Sequence, residues 1–144
     1  MALLSGMTVS HVWLGIGSAL FLELGTLSEG NKRKDGSLGN SIGEVTVMVD
    51  FDWRVERQRS ILGGSHDTPK RRISISNLLL NTTIVSAQTV GRIPELQMQL
   101  SNKLWISTFS HDKGQPTWAV GFNSLGLGWL CVERGKLCVD RRNS

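Results

Sequence analysis

The sequence predicts a mainly β fold with one helix (α+β), an antiparallel meander sheet built from two similar β-rich halves. Three observations carry that expectation. Apolar and polar residues alternate along most of the chain with the period of half-buried strands. Glycine-bearing turns separate these runs at hairpin spacing, too short for the crossovers of a parallel sheet. Helix-end chemistry occurs in one segment only. The 144 residues suffice for one core and fall short of two ordinary domains, so residues 1–144 read as a single domain. Hydrophobic residues at 40% with 16 glycines give an ordinary globular composition, which argues against disorder and against membrane spanning.

Taken in order, runs at 8–14 and 19–24 form a first hairpin. The stretch 12–24 is apolar like a signal-peptide core, but no Lys or Arg precedes it and no A-x-A pattern follows. Gly15, Gly17 and Glu23 interrupt it, and it is shorter than the ~20 residues of a membrane helix. We therefore expect a cytoplasmic protein with no membrane partner. Residues 29–43, with Lys32, Arg33 and Lys34, read as a polar, mobile loop. A long strand is expected over 44–56. A helix is expected over about 69–80: Asp67 or Thr68 caps it, Pro69 suits its first turn, and Ile75, Leu78 and Leu79 fall at i, i+3 and i+4. β-branched residues favour the competing strand through 73–80. Further strands are expected at 83–90, 95–101, 104–109, 117–122, 129–133 and 136–139.

In the last hairpin, a two-residue turn at Arg134-Gly135 pairs Glu133 with Lys136, Val132 with Leu137 and Cys131 with Cys138. That register permits a disulfide in an oxidising compartment. Without a secretory signal, two reduced thiols on one face are the expectation. Two cysteines alone do not make a zinc site.

A weak internal repeat links residues 3–55 and 79–122, with the helix between them. A slide of 76 residues sets Val9-Ser10 on Val85-Ser86, Gly15 on Gly91, Leu20 on Leu96 and Leu24 on Leu100. Asp52-Trp53-Arg54-Val55 is echoed by Thr117-Trp118-Ala119-Val120.

Chemistry-bearing patterns are sparse. Ser65-His66-Asp67 and Ser110-His111-Asp112 hold the residue types of a hydrolase triad, but adjacent residues do not supply its geometry. No G-x-S-x-G elbow accompanies them, so they read as turn residues. His66, Asp67, His111 and Asp112 would share a metal only if their loops met, and neither pair has metal-site spacing. The glycine pairs match neither a P-loop nor a dinucleotide fingerprint. No catalytic residue, metal or cofactor is assigned.

Five tryptophans, Trp13, Trp53, Trp105, Trp118 and Trp129, fall in expected strands and read mainly as core, with Trp53 and Trp118 as alternative interface anchors. Charge is concentrated. Between residues 54 and 72 lie Arg54, Arg57, Arg59, Lys70, Arg71 and Arg72 against Glu56 and Asp67, a net of +4 that equals the whole chain's. An acidic protein surface is one partner for this patch. Nucleic acid is the other, although no aromatic residue is interleaved in the stretch for base stacking.

The progression Asp52-Trp53-Arg54-Val55-Glu56, Ile61-Leu62-Gly63-Gly64-Ser65, Pro94-Glu95-Leu96 and Gly114-Gln115-Pro116-Thr117-Trp118 resembles a group of small, uncharacterised bacterial proteins. These share W-[RS]-[IV]-E, I-L-G-S, P-E-L and G-Q-P-x-W. The resemblance covers residues 52–122. Such proteins look like those encoded near secreted polymorphic toxins, which implies a cytoplasmic immunity or accessory role and brings no catalytic residues. This chain departs by one extra glycine, in Gly63-Gly64-Ser65, and by its basic helix region. The motif residues Trp53, Pro94, Glu95, Gln115, Pro116 and Trp118 are structural or interface candidates: Pro94 suits a strand entry, Gln115-Pro116 a turn and Trp118 a core anchor. The expected function is thus a non-enzymatic protein that binds and blocks a toxin through the 54–72 surface. The alternative is a small nucleic-acid-binding module using the same patch and the Lys32–Lys34 loop.

Overall fold

The computed structural model describes residues 1–112 and 117–140. A 3-10 turn at Ala2–Leu4 precedes β1 (Val9–Leu14), β2 (Leu20–Leu24), β3 (Val45–Val49), β4 (Trp53–Glu56) and β5 (Ile61–Gly64). Then come α1 (Pro69–Leu79), β6 (Ile84–Val90), β7 (Glu95–Leu100), β8 (Trp105–Thr108), β9 (Trp118–Gly121), β10 (Trp129–Glu133) and β11 (Lys136–Asp140). They form two antiparallel sheets, one of six strands in the order β1-β2-β3-β9-β10-β11 and one of five in the order β5-β4-β8-β7-β6. A single buried cluster draws on both: Leu20, Leu22, Leu24, Val47 and Val120 from the first, Val55, Leu96, Met98 and Ile106 from the second. Burying each such side chain contributes about 1.5–3 kcal/mol. Among the described residues no helix is long and apolar enough to cross a membrane.

The expected meander is therefore divided, because the chain crosses between sheets after β3 and again after β8. The first crossing splits the expected strand 44–56. Asp50, Phe51 and Asp52 keep the strand-like alternation of polar and apolar side chains, so periodicity gave no warning of the break. Phe51 adopts φ +58°, a left-handed conformation costly for a bulky side chain, and Asp52 N donates to Asp50 O at 2.7 Å. After each crossing the new strand opens with a buried tryptophan. The Trp53 indole N–H donates to Ser18 O at 2.7 Å and that of Trp118 to Pro94 O at 3.1 Å. Each carbonyl belongs to the turn between the two strands of a hairpin, β1–β2 or β6–β7. Both hairpins carry a bulge near the start of their first strand, between Val9 and His11 and between Ile84 and Ser86.

β5 is absent from the expected strands because Gly63-Gly64 reads as a turn. The glycines are there for close approach: a Cβ on Gly64 would fall on Trp53 O and Arg54 Cα, and one on Gly63 would meet Ile75 of α1. The helix matches its expected bounds, with Thr68 Oγ1 accepting from Arg71 N at 3.3 Å. It buries Ile75, Ser76 and Leu79 and leaves Ile73 and Leu78 exposed. Residues 29–43, expected as a loop, form an extended excursion closed by the bridges Ser28↔Ile42 and Lys32↔Leu38.

One carboxylate lies in the interior of the first sheet. Glu23 is buried on β2, and it accepts from the Trp13 indole at 2.8 Å, from Gly43 N at 3.1 Å and from the Thr46 hydroxyl. Three donors compensate its loss of water.

The β10–β11 register is the one the Arg134-Gly135 turn requires. Both turn residues have positive φ, 53° and 77°, as in a type I′ hairpin. Cys131 and Cys138 face each other as free thiols with sulfurs 3.2 Å apart. The Cys138 thiol is pushed up to about 12, first by its hydrogen bond with Cys131 and then by burial. A raised thiol pKa means less thiolate at any lower pH, and the thiolate is the reactive form. Cys131→Ala removes the largest cause, so alkylation of Cys138 by iodoacetamide at pH 8 should speed up by about tenfold or more. Peptide mapping of the labelled cysteine measures this, and an unchanged rate would show that Cys131 is not what suppresses it.

Candidate functional site

The two Ser-His-Asp triplets meet, though neither works as a unit. Asp52, in the first crossing, is buried, its side chain 6% exposed, and holds one imidazole on each oxygen. His66 Nε2 lies 3.0 Å from Oδ1 and His111 Nδ1 lies 2.6 Å from Oδ2. His66 comes from the β5–α1 connection and His111 from the second crossing. Asp52 is thus the residue that sequence reasoning missed, although the repeated triplets were its visible half. The rings are 77% and 69% exposed and line a cleft of about 430 Å³ with Ser18, Phe51, Ser110 and Thr117.

Three of the triplets' other members are engaged elsewhere, while Asp112 Oδ2 lies 3.8 Å from His111 Nε2. Ser65 Oγ accepts from Trp53 N at 3.1 Å and lies 3.2 Å from Trp53 O. Ser110 Oγ lies 3.0 Å from Thr117 Oγ1, and Asp67 accepts from Gly64 N at 2.7 Å. Neither serine hydroxyl is bonded to a histidine, so the nucleophile–base contact of a hydrolase triad is not made. Among the described residues no group of three or more His, Cys, Asp or Glu side chains is placed to hold a metal ion. What the cluster does is fasten three connections to one buried carboxylate.

Glu95 does similar work beside it. Its carboxylate accepts from Thr108 Oγ1 at 2.8 Å and from Ser110 N at 2.6 Å, tying the start of β7 to the second crossing. Pro94 supplies the carbonyl for Trp118. Trp53 and Trp118 are 1% and 0% exposed and fill the core; Gln115 and Pro116 lie outside the described residues.

The basic segment separates into cations with and without partners. Arg54 Nε bonds Glu56 Oε2 at 2.6 Å, its guanidinium 5.4 Å from the Phe109 ring centroid. Arg71 donates to Leu62 O and Arg72 to Gly17 O, both at 2.9 Å. Arg72 also carries a buried, unbonded Nε. Arg57 and Arg59 in the β4–β5 turn and Lys70 in the first turn of α1 are exposed, and among the described residues their side chains form no hydrogen bond or ion pair. Exposed Ile61 opens β5 next to that turn, and exposed Ile73 and Leu78 lie on α1.

Asp52→Ala should destabilise the protein by roughly 1–3 kcal/mol, the low end being set by the water that can replace the lost acceptor on both exposed rings. Asp52→Asn, which keeps one acceptor oxygen, should cost less. Urea denaturation of both variants measures this, and equal stability of Asp52→Ala and the parent would show that the carboxylate fastens nothing.

Compared with protein-family models, with curated proteins and with solved structures, the chain finds no match.

Proposed function

We propose that the protein is a non-enzymatic, cytoplasmic protein-binding protein, an immunity or accessory factor that docks on an acidic surface of a toxin and blocks it. One observation carries this reading: Lys70, Arg71 and Arg72 occupy the first turn of α1, which holds no acidic residue. A helix N-terminus is the positive end of its dipole, and each cation there costs some tenths of a kcal/mol. Arg71 and Arg72 reach backbone carbonyls, whereas the Lys70 ammonium makes no bond among the described residues, and a carboxylate-rich partner would gain a great deal from it.

The surroundings support it. Arg71 and Leu78, seven residues apart, share the helix flank that meets β5 and the β4–β5 turn. Exposed aliphatic side chains set among arginines match the composition of protein interfaces. Both acidic residues of the segment are engaged internally, Glu56 with Arg54 and Asp67 with Gly64 N. The same reading takes residues 3–55 and 79–122 as two similar halves. Its support is the shared order of bulged hairpin, third strand and crossing strand, with the crossing tryptophan bonded to the hairpin carbonyl.

Arg59→Glu with Lys70→Glu tests the reading without touching any bond of the fold. Co-expressed with the product of the neighbouring gene, the parent should co-purify and protect the host, and the double variant should bind about a hundredfold more weakly. Undiminished binding by the variant would sink the proposal. So would preferential binding of single-stranded RNA that weakens steeply with salt, which is the behaviour of the nucleic-acid module.

A further inference from the structure

The β7–β8 turn and the β4–β5 turn enclose a groove of about 780 Å³, lined by Arg57, Gln58, Leu78, Gln99, Lys103 and Trp105 among others. Its volume lies in the range of ligand pockets. None of its lining residues is acidic, and two are cations. Trp105 is half-buried and stands cross-strand from Glu56 on one side and from Gln99 on the other. Strand pairing therefore brings an aromatic ring to the end of the basic segment, which has none in its own sequence.

Lys103 is the unusual member. The turn from Leu100 to Leu104 is a three-residue hairpin loop, with Leu100 N donating to Leu104 O at 2.8 Å and Lys103 N to Leu100 O at 3.0 Å. Lys103, its third residue, has φ +67°. Glycine is the residue that fits this left-handed position without strain. A lysine there pays a backbone cost, and its ammonium has no acidic partner among the described residues. Its neighbour Asn102 is engaged at both ends, accepting from Leu104 N at 3.3 Å within the turn and donating to Leu78 O of α1 at 2.9 Å.

We propose that this groove binds a nucleoside phosphate, with the base stacked on Trp105, the phosphate between Arg57 and Lys103, and the Gln58 and Gln99 amides within the site for base edges. An indole face, two cations and two amides in one groove suit a ligand that is flat at one end and anionic at the other. A chain of carboxylates would use the cations and leave the indole idle. This site does not rest on the protein-binding reading: Lys103 and Trp105 lie outside the 54–72 segment, so variants there leave Arg59 and Lys70 in place.

Isothermal titration calorimetry on the full chain at low salt tests it, with AMP, GMP, adenosine, inorganic phosphate, a single-stranded decanucleotide and a polyglutamate peptide as probes. The nucleotides should bind, with adenosine and phosphate each at least tenfold weaker. Lys103→Gly should lose about tenfold in affinity while raising the melting temperature, because glycine relieves the turn; Trp105→Leu should lose a similar factor. Competition between AMP and the decanucleotide with equal affinity per site identifies a free nucleotide as the ligand. Much tighter binding of the decanucleotide identifies a strand carrying the same chemistry. No heat from either nucleotide at millimolar concentration would overturn the proposal, as would unchanged affinity in both variants, or polyglutamate binding as tightly as AMP.

Discussion

The carboxylate of Asp52 is buried where the chain passes from one sheet to the other, and a buried carboxylate left without donors costs several kcal/mol. Two imidazoles meet that demand, one on each oxygen. They come from segments far apart in sequence, the β5–α1 connection and the second crossing, so compensating one charge fixes the path of both. The backbone adds to this, with Phe109 N donating to Asp52 O at 3.0 Å and Asp50 N to Thr117 O at 2.8 Å. The two crossings thus run side by side, and the cleft between them follows from that constraint.

Each crossing also has to end in the correct register, and the tryptophans see to it. A one-residue slip in β4 or β9 would turn the indole outward and leave its N–H without the hairpin carbonyl. Since β4 pairs with β8 and β9 with β3, each tryptophan fixes a strand against one distant in sequence while bonding the turn of a hairpin. The opposite margin is joined by backbone bonds between Val9 and the Asn81–Thr82 turn. The two sheets are held at both sides, by the hydrogen bonds of the Asp52 carboxylate on one and by main-chain bonds on the other.

Local features of this fold were legible in the sequence and long-range ones were not. Thr68 and Pro69 announced the helix, and Arg134-Gly135 set the last register, because both signals act over a few residues. The break at Phe51 leaves no mark in the pattern, since Asp50-Phe51-Asp52 continues the alternation while the backbone reverses. β5 was hidden for the opposite reason: its glycines serve close approach, which looks in sequence like a turn. At the candidate site, the repeated Ser-His-Asp triplets drew the eye to His66 and His111, but their shared partner lies 14 residues from one and 59 from the other. No spacing rule reaches that far. The pairing of Trp105 with the basic segment is likewise a product of strand order.

The cations divide by what the fold asks of them. Arg71 and Arg72 reach backbone carbonyls and Arg54 pairs with Glu56, so their charge is partly spent on structure. Lys70 sits in the first turn of a helix, whose dipole disfavours it, and Lys103 sits at a turn position that glycine fits better. Arg57 and Arg59 sit in an exposed turn without acidic partners among the described residues. Where each local rule favours the fold, stability alone explains a residue; where a residue breaks the rule and nothing nearby compensates, its reason lies outside the fold. These four side chains stand around the β4–β5 turn, α1 and the β7–β8 turn, whereas the carboxylates of the Asp52 cluster lie at the crossings. The protein thus carries its internal constraint at the crossings and, on the helix-bearing sheet, a group of four cations without acidic partners among the described residues, where a negatively charged partner or ligand would lower the energy of the whole.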